Sequence, residues 1–138
     1  MLVHLLYASK RDVHCNETEI NNILAASVKN NPALGITGIL LYTETRFIQY
    51  VEGEYGNVMP LYEKIKKDTR HQDVQLISLG LIQEKIFPQW YMGSQKTTSD
   101  RVEFLLQIEE QEKVTIDGLL LGKIEQGKKV QKLLQNLA

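Results

Sequence analysis

The stretch Gly35–Glu54, GITGILLYTETRFIQYVEGE, decides how the rest of the chain is read. Two apolar runs flank a short polar turn, Thr43-Glu44-Thr45-Arg46, and Gly35 and Gly38 open the first run. This is the pattern of a β-hairpin. On the returning strand Phe47, Gln49 and Val51 share one face, and Ile48, Tyr50 and Glu52 share the other. Bulky apolar groups on both faces predict a central strand covered on both sides. Gln49 then sits in the middle of an apolar face. A buried primary amide without partners costs on the order of 1–3 kcal/mol, so some polar group must meet it.

Outward from the hairpin, Leu2 to Ala8 reads as a first strand with Val3, Leu5 and Tyr7 on one face. Ser9-Lys10-Arg11-Asp12 reads as a polar loop. Asn16 followed by Glu19 is a capping box that starts a helix with Ile20, Ile23, Leu24, Ser27 and Val28 on one stripe. Pro32 is expected to end that helix and leave Asn30-Asn31 at its terminus. After the hairpin, Asn57 is expected to cap a second helix with Pro60 in its first turn. Val58, Leu61, Tyr62 and Ile65 form its buried stripe, and Asp68-Thr69-Arg70-His71 ends it. Val74 to Gln83 reads as a further strand, and Phe87 to Met92 as a short edge strand.

The resulting order, βαββαββ, predicts an α+β, ferredoxin-like sandwich with both helices on one sheet face. In that topology the first and third strands are central neighbours, so the Tyr7 phenol and the Gln49 amide can meet beneath the helices. From Ser99 onward the pattern becomes helical, with one stripe at Val102, Leu105 and Leu106 and another at Val130, Leu133, Leu134 and Leu137. We read this tail as a helical pair on the sheet's second face, the alternative being a hairpin that buries its stripes against another chain. Residues 1–95 then form the core and 96–138 a helical extension of the same structural unit.

Composition narrows the functional classes. The 138 residues carry a net charge of −1, with 43% hydrophobic and 24% charged residues. That balance suits one soluble, cytoplasmic domain and offers no basic footprint for nucleic acid. A single cysteine, Cys15, rules out an internal disulfide. The apolar start MLVHLLYASK is too short for a membrane span or signal peptide. His4, His14, Cys15 and His71 lack metal-ligand spacing, and neither a GxxxxGK[ST] nor a GxGxxG loop is present.

On pattern alone, Tyr7 and Gln49 are most simply a buried tyrosine satisfying a buried amide. Asn31 reads as a helix cap, Asp68 and Arg70 as a surface ion pair, and Trp90 and Met92 as core. Together, two amides, a phenol, a carboxylate and a guanidinium around an apolar slot suit a flat heteroaromatic ligand with polar edges, such as a flavin. An amide can both donate and accept, and so matches a carbonyl beside an N–H.

The pieces LLYAS (5–9), NNPALGITGILLY (30–42), FIQYVEG (47–53), LYEKIKKDTRH (61–71) and FPQWYMG (87–93) occur in an order and spacing that resemble the BLUF domains, the blue-light sensors that use FAD. The resemblance runs from Leu2 to Gly93, and the tail is similar to that of the short, single-domain members. It implies an isoalloxazine ring held between the two helices. Tyr7 matches the photoactive tyrosine and Gln49 the glutamine between it and the flavin. Asn31 matches the asparagine on the pyrimidine edge, and Asn30 its less constant neighbour. Asp68 and Arg70 match positions near the flavin's other polar edge and side chain, while Ile23, Leu24 and Ile65 fall where apolar residues sandwich the ring. Trp90 and Met92 match the signalling strand.

The implied activity is light sensing rather than enzymatic turnover, with output to another protein or through self-association. Two other classes share the topology. An acylphosphatase-type hydrolase would need a phosphate-holding arginine after the first strand, where Arg11 stands without a glycine-rich loop. An RNA-binding module would need exposed aromatics on the central strands, for which Tyr50 is the candidate.

Overall fold

The computed structural model describes residues 1–85, 88 and 91–98. The elements are β1 (Leu2–Arg11), α1 (Glu17–Leu34), β2 (Thr37–Tyr42), β3 (Arg46–Glu54), α2 (Tyr55–Lys67), β4 (His71–Leu81) and β5 (Gly93–Lys96). They form a five-stranded sheet in the order β4-β1-β3-β2-β5, the α+β, ferredoxin-like arrangement expected. β3 lies at the centre, β1 runs antiparallel to its neighbours β3 and β4, and β5 runs parallel to β2 at the edge. The helical pair expected to cover the second face lies outside the described residues. No helix among the described residues is long and apolar enough to cross a membrane.

Both faces of the central strands are buried, as two-sided apolar patterning requires. On the helix side Val3, Leu5, Tyr7, Phe47, Val51 and Leu79 pack with Ile20 of α1 and Val58 and Tyr62 of α2. On the far side His4, Leu6, Ile39, Leu41, Ile48 and Tyr50 are buried too. Tyr50 is 1% exposed and is not a base-stacking platform. The hairpin folds tightly because Gly38 faces the neighbouring backbone. A Cβ there would stand 2.0 Å from the Tyr50 carbonyl oxygen.

Several element boundaries differ from the sequence reading, each for a local physical reason. α1 does not stop at Pro32 but runs through it to Leu34. Gly35 (φ 63°) closes it in a left-handed turn, its N–H donating to the Pro32 carbonyl and that of Ile36 to the Asn31 carbonyl. This closure satisfies the terminal carbonyls and overrides the local bias against helix before proline. α2 begins at Tyr55 rather than after Asn57, and Pro60 lies in its second turn. The Asn57 amide is engaged elsewhere, donating to the Leu34 carbonyl at 3.0 Å and tying the start of α2 to the end of α1.

β1 continues to Arg11, because Ser9 and Lys10 pair with Phe47 and Arg46 of β3. β4 starts at His71, three residues early. Its pairing with β1 slips twice, and Asp73 at the second slip adopts φ 49°. The edge strand among the described residues is Gly93–Lys96, and the described residues of the expected Phe87–Met92 strand are not part of it. Pro88 is in a turn, Tyr91 and Met92 precede the strand, and Phe87 and Trp90 lie outside the described residues. Polar residues suffice for such an edge, where one side of the strand meets water.

Candidate functional site

β1 and β3 place Tyr7 directly opposite Gln49 on the helix face of the sheet. Both are buried, Tyr7 completely and Gln49 to 4% exposure. The Tyr7 hydroxyl donates to Gln49 Oε1. Gln49 Nε2 in turn donates to the Met92 sulfur at 3.4 Å. The amide orientation is chemically coherent, since a phenol offers its proton to the carbonyl end and a thioether can only accept.

Tyr7 is enclosed by other rings. Tyr62 of α2 lies 5.8 Å away and the His71 imidazole meets it edge-on at 5.9 Å. Burial pushes the Tyr7 pKa far above the usual phenol range, with the Asp68 carboxylate and Tyr62 acting in the same direction. Tyr7 is therefore a neutral hydrogen-bond donor that resists simple ionisation. His71 packs on Phe47 at 4.7 Å, and its Nδ1 lies 2.9 Å from the Ser9 hydroxyl. Burial lowers its pKa to about 4, opposed by Asp68 and aided by Arg70.

Asn31 and Asn30 are separated by the helix geometry. Asn31 faces inward at 3% exposure, and its Nδ2 donates to the Tyr91 carbonyl at 2.8 Å. Asn30 is exposed. The last turn of α1 thus approaches the same Tyr91–Met92 pair that Gln49 touches. Ile23 and Leu24 of α1 and Ile65 of α2 pack against the core while remaining only half-buried. Of the 18 residues of α1 only Ile20 and Asn31 are fully buried, and Val28 is 55% exposed. α1 approaches the sheet less closely than α2 does.

Asp68 and Arg70 form a two-pronged ion pair at the start of β4. Arg70 Nη2 lies 2.6 Å from Asp68 Oδ2 and Nε 3.0 Å from Oδ1, and the Arg70 backbone N–H adds a bond at 2.9 Å. Hydrogen bonding to Arg70 holds the Asp68 carboxyl below its usual range. Arg70 also reaches Glu19 in the first turn of α1 at 3.6 Å, linking that helix to the α2–β4 connection.

Sequence reading found the Tyr7–Gln49 meeting but missed three partners. Tyr91 acts through its backbone carbonyl, which no side-chain pattern reveals. The sequence pattern places His71 at a helix terminus, whereas the slipped pairing of β4 with β1 brings it to Tyr7. Tyr62 was recognised as buried, but its packing on Tyr7 depends on where α2 crosses the sheet. Trp90 lies outside the described residues. Arg11 is committed to structure: it donates to the carbonyls of Cys15 at 2.7 Å and Thr43 at 2.9 Å, and its side chain is 8% exposed. No guanidinium is thus left there for the phosphate that a hydrolase of acylphosphatase type would bind.

The family model described as BLUF, sensors of blue light using FAD, matches residues 2–93. The beta subunit of photoactivated adenylate cyclase from Euglena longa is 34% identical over 94 residues, covering 67% of this chain and 11% of that protein. The dark-state structure of the BLUF protein BlrB superposes with a TM-score of 0.73 at 28% identity, over 99% of this chain and 97% of that one. A bacterial light-regulated adenylyl cyclase superposes with a TM-score of 0.70 at 35% identity, over 81% of this chain and 35% of its own.

Proposed function

Because this chain belongs to the BLUF family of blue-light sensors that use FAD, we propose that Tyr7 is its photoactive group, Gln49 the relay, and the segment carrying Met92 the part that reports the change. The observation that carries this reading is the continuous bonded path from the Tyr7 hydroxyl through the Gln49 amide to the Met92 sulfur.

The residues fit a flavin. Ile23, Leu24 and Ile65 present half-covered apolar surface where α1 stands off the sheet, the environment a flat ring would complete. Asn31 has a second N–H and a carbonyl oxygen beyond its bond to Tyr91, enough to meet a carbonyl beside an N–H on the ring's pyrimidine edge. Asp68 and Arg70 supply charge for the other polar edge and the side chain, and exposed Asn30 stands at the solvent side. When bound, the flavin supplies the absorption of blue light and an excited state that draws an electron.

The protein's own part follows from the geometry. Burial disfavours the Tyr7 anion. Tyr7 gives up its proton more readily when an electron leaves with it, drawn to the excited flavin, and Gln49 Oε1, already its acceptor, receives that proton. Gln49 then rearranges, by rotation or by tautomerisation, before charge and proton return to Tyr7. A rotated amide would turn its carbonyl oxygen toward the Met92 sulfur, setting two acceptors face to face. Rotation therefore breaks the Gln49–Met92 bond and frees the segment leading into β5, which makes that segment a two-state element.

Two of the relatives named above, the Euglena longa protein and the bacterial enzyme, are light-regulated cyclases, and BlrB is a BLUF protein. For this chain we propose output to a separate downstream protein or through self-association. The test is Tyr7→Phe, which removes the hydroxyl and keeps the ring. The rearranged Gln49 changes its hydrogen bonds to the flavin and so moves the flavin absorption slightly to the red; the variant should bind flavin and lose this light-induced red shift. A full red shift in that variant would refute the assignment of Tyr7.

A further inference from the structure

The connection between β4 and β5 is held by more than Gln49. Asn31 Nδ2 donates to the Tyr91 carbonyl at 2.8 Å, one residue before the methionine that Gln49 touches. Four residues further along the chain, the Gly35 carbonyl accepts from Lys85 Nζ near the start of the same connection. The last turn of α1 therefore grips this connection near both ends, and the grip at Tyr91 is part-buried while that at Lys85 is exposed.

Resting on the light-sensing reading, we propose that Asn31 is a positioning residue for signalling, the second anchor of the Tyr91–Met92 segment. Gln49 holds the segment by a side chain, through a weak sulfur acceptor. Asn31 holds it by the backbone, through a full amide–carbonyl bond, the stronger of the two. When Gln49 lets go of Met92, Asn31 keeps Tyr91 in place. The segment then pivots about Tyr91 instead of detaching, and the change passes along the chain into β5. β5 is four residues long and held to the sheet on one side by β2. Small changes at its entry are therefore read directly as changes in its pairing. The same amide has hydrogen-bonding capacity left over for the flavin edge, so one residue senses the ring and fixes the pivot.

The test is amide hydrogen exchange at Ser94–Lys96 in the full chain, in the dark and under blue light, for wild type and two altered proteins. Asn31→Asp keeps the shape of the side chain and removes its donor. Replacing Met92 by its α-hydroxy acid turns the Tyr91–Met92 linkage into an ester, which weakens the Tyr91 carbonyl as an acceptor and leaves the Asn31 side chain and the flavin edge untouched. Both altered proteins should exchange these amides roughly fivefold faster in the dark, about the factor that one net hydrogen bond supplies. Both should also lose most of the light-induced change there, the ester protein while keeping its red shift. Wild-type exchange in the ester protein would overturn the anchor, whether or not Asn31→Asp folds. A wild-type protein without any red shift would overturn the light-sensing reading instead, and the dark comparison would still decide the anchor.

Discussion

Gln49 accepts from a phenol and donates to a thioether, two partners of very different strength. The strong bond fixes the amide's orientation, and the weak one is the bond that can be given up at little cost. Nearby, His71 is buried on the helix side of the sheet. On the far side His4 stacks on Tyr50 and lies 2.7 Å from the Ser78 hydroxyl. Burial lowers both histidine pKa values to about 4. Each ring is therefore neutral in the folded protein and takes up a proton more readily when unfolded. Stability from this source is complete above the unfolded pKa of 6.5, falls as pH drops toward 4, and levels off below. The loss should reach roughly 3 kcal/mol for each histidine. Urea unfolding across that window should show it, and a flat profile would contradict the neutral burial of both rings. The Tyr7–Gln49 contact was legible in the sequence because strand alternation puts both residues on one face. The roles of His71 and of the Tyr91 carbonyl were not, because one depends on a slipped register and the other involves no side chain.

Among the elements, the hairpin β2–β3 and the central pairing of β1 were readable because period-two patterning and glycine punctuation agree there. Gly38 shows how firm that agreement is. Gly38→Ala would press a methyl group into the Tyr50 backbone, costing about 1–3 kcal/mol as overpacking does. A denaturant midpoint unchanged from wild type would show that the hairpin yields there. The two helix ends were misread because proline and asparagine carry local preferences that tertiary contacts override. Gly35 closes α1 beyond Pro32, and the Asn57 amide bonds to α1 rather than capping α2. At the sheet edge, apolar character is a poor mark of a strand. Tyr91 and Met92 lie instead at the site, and a polar GSQK segment pairs with β2.

At the scale of the whole molecule, the sheet is a divider with a hydrogen-bonded relay on one face and a second buried face behind it. Burial on both sides of β1 and β3 supports the proposal that residues 1–95 and 96–138 form one structural unit. The acid-sensitive unfolding described above should then occur in a single transition, and two separate transitions would contradict a single unit. The central claim is that this unit senses blue light through Tyr7 and Gln49 around a flavin. The most direct measurement is the absorption spectrum of the purified full chain, first in the dark and then under blue light. The account predicts a structured flavin band that moves reversibly to longer wavelength and returns in the dark. A flavin band that bleaches or stays in place would contradict the relay, and a protein that remains colourless after incubation with FAD would contradict the flavin site itself.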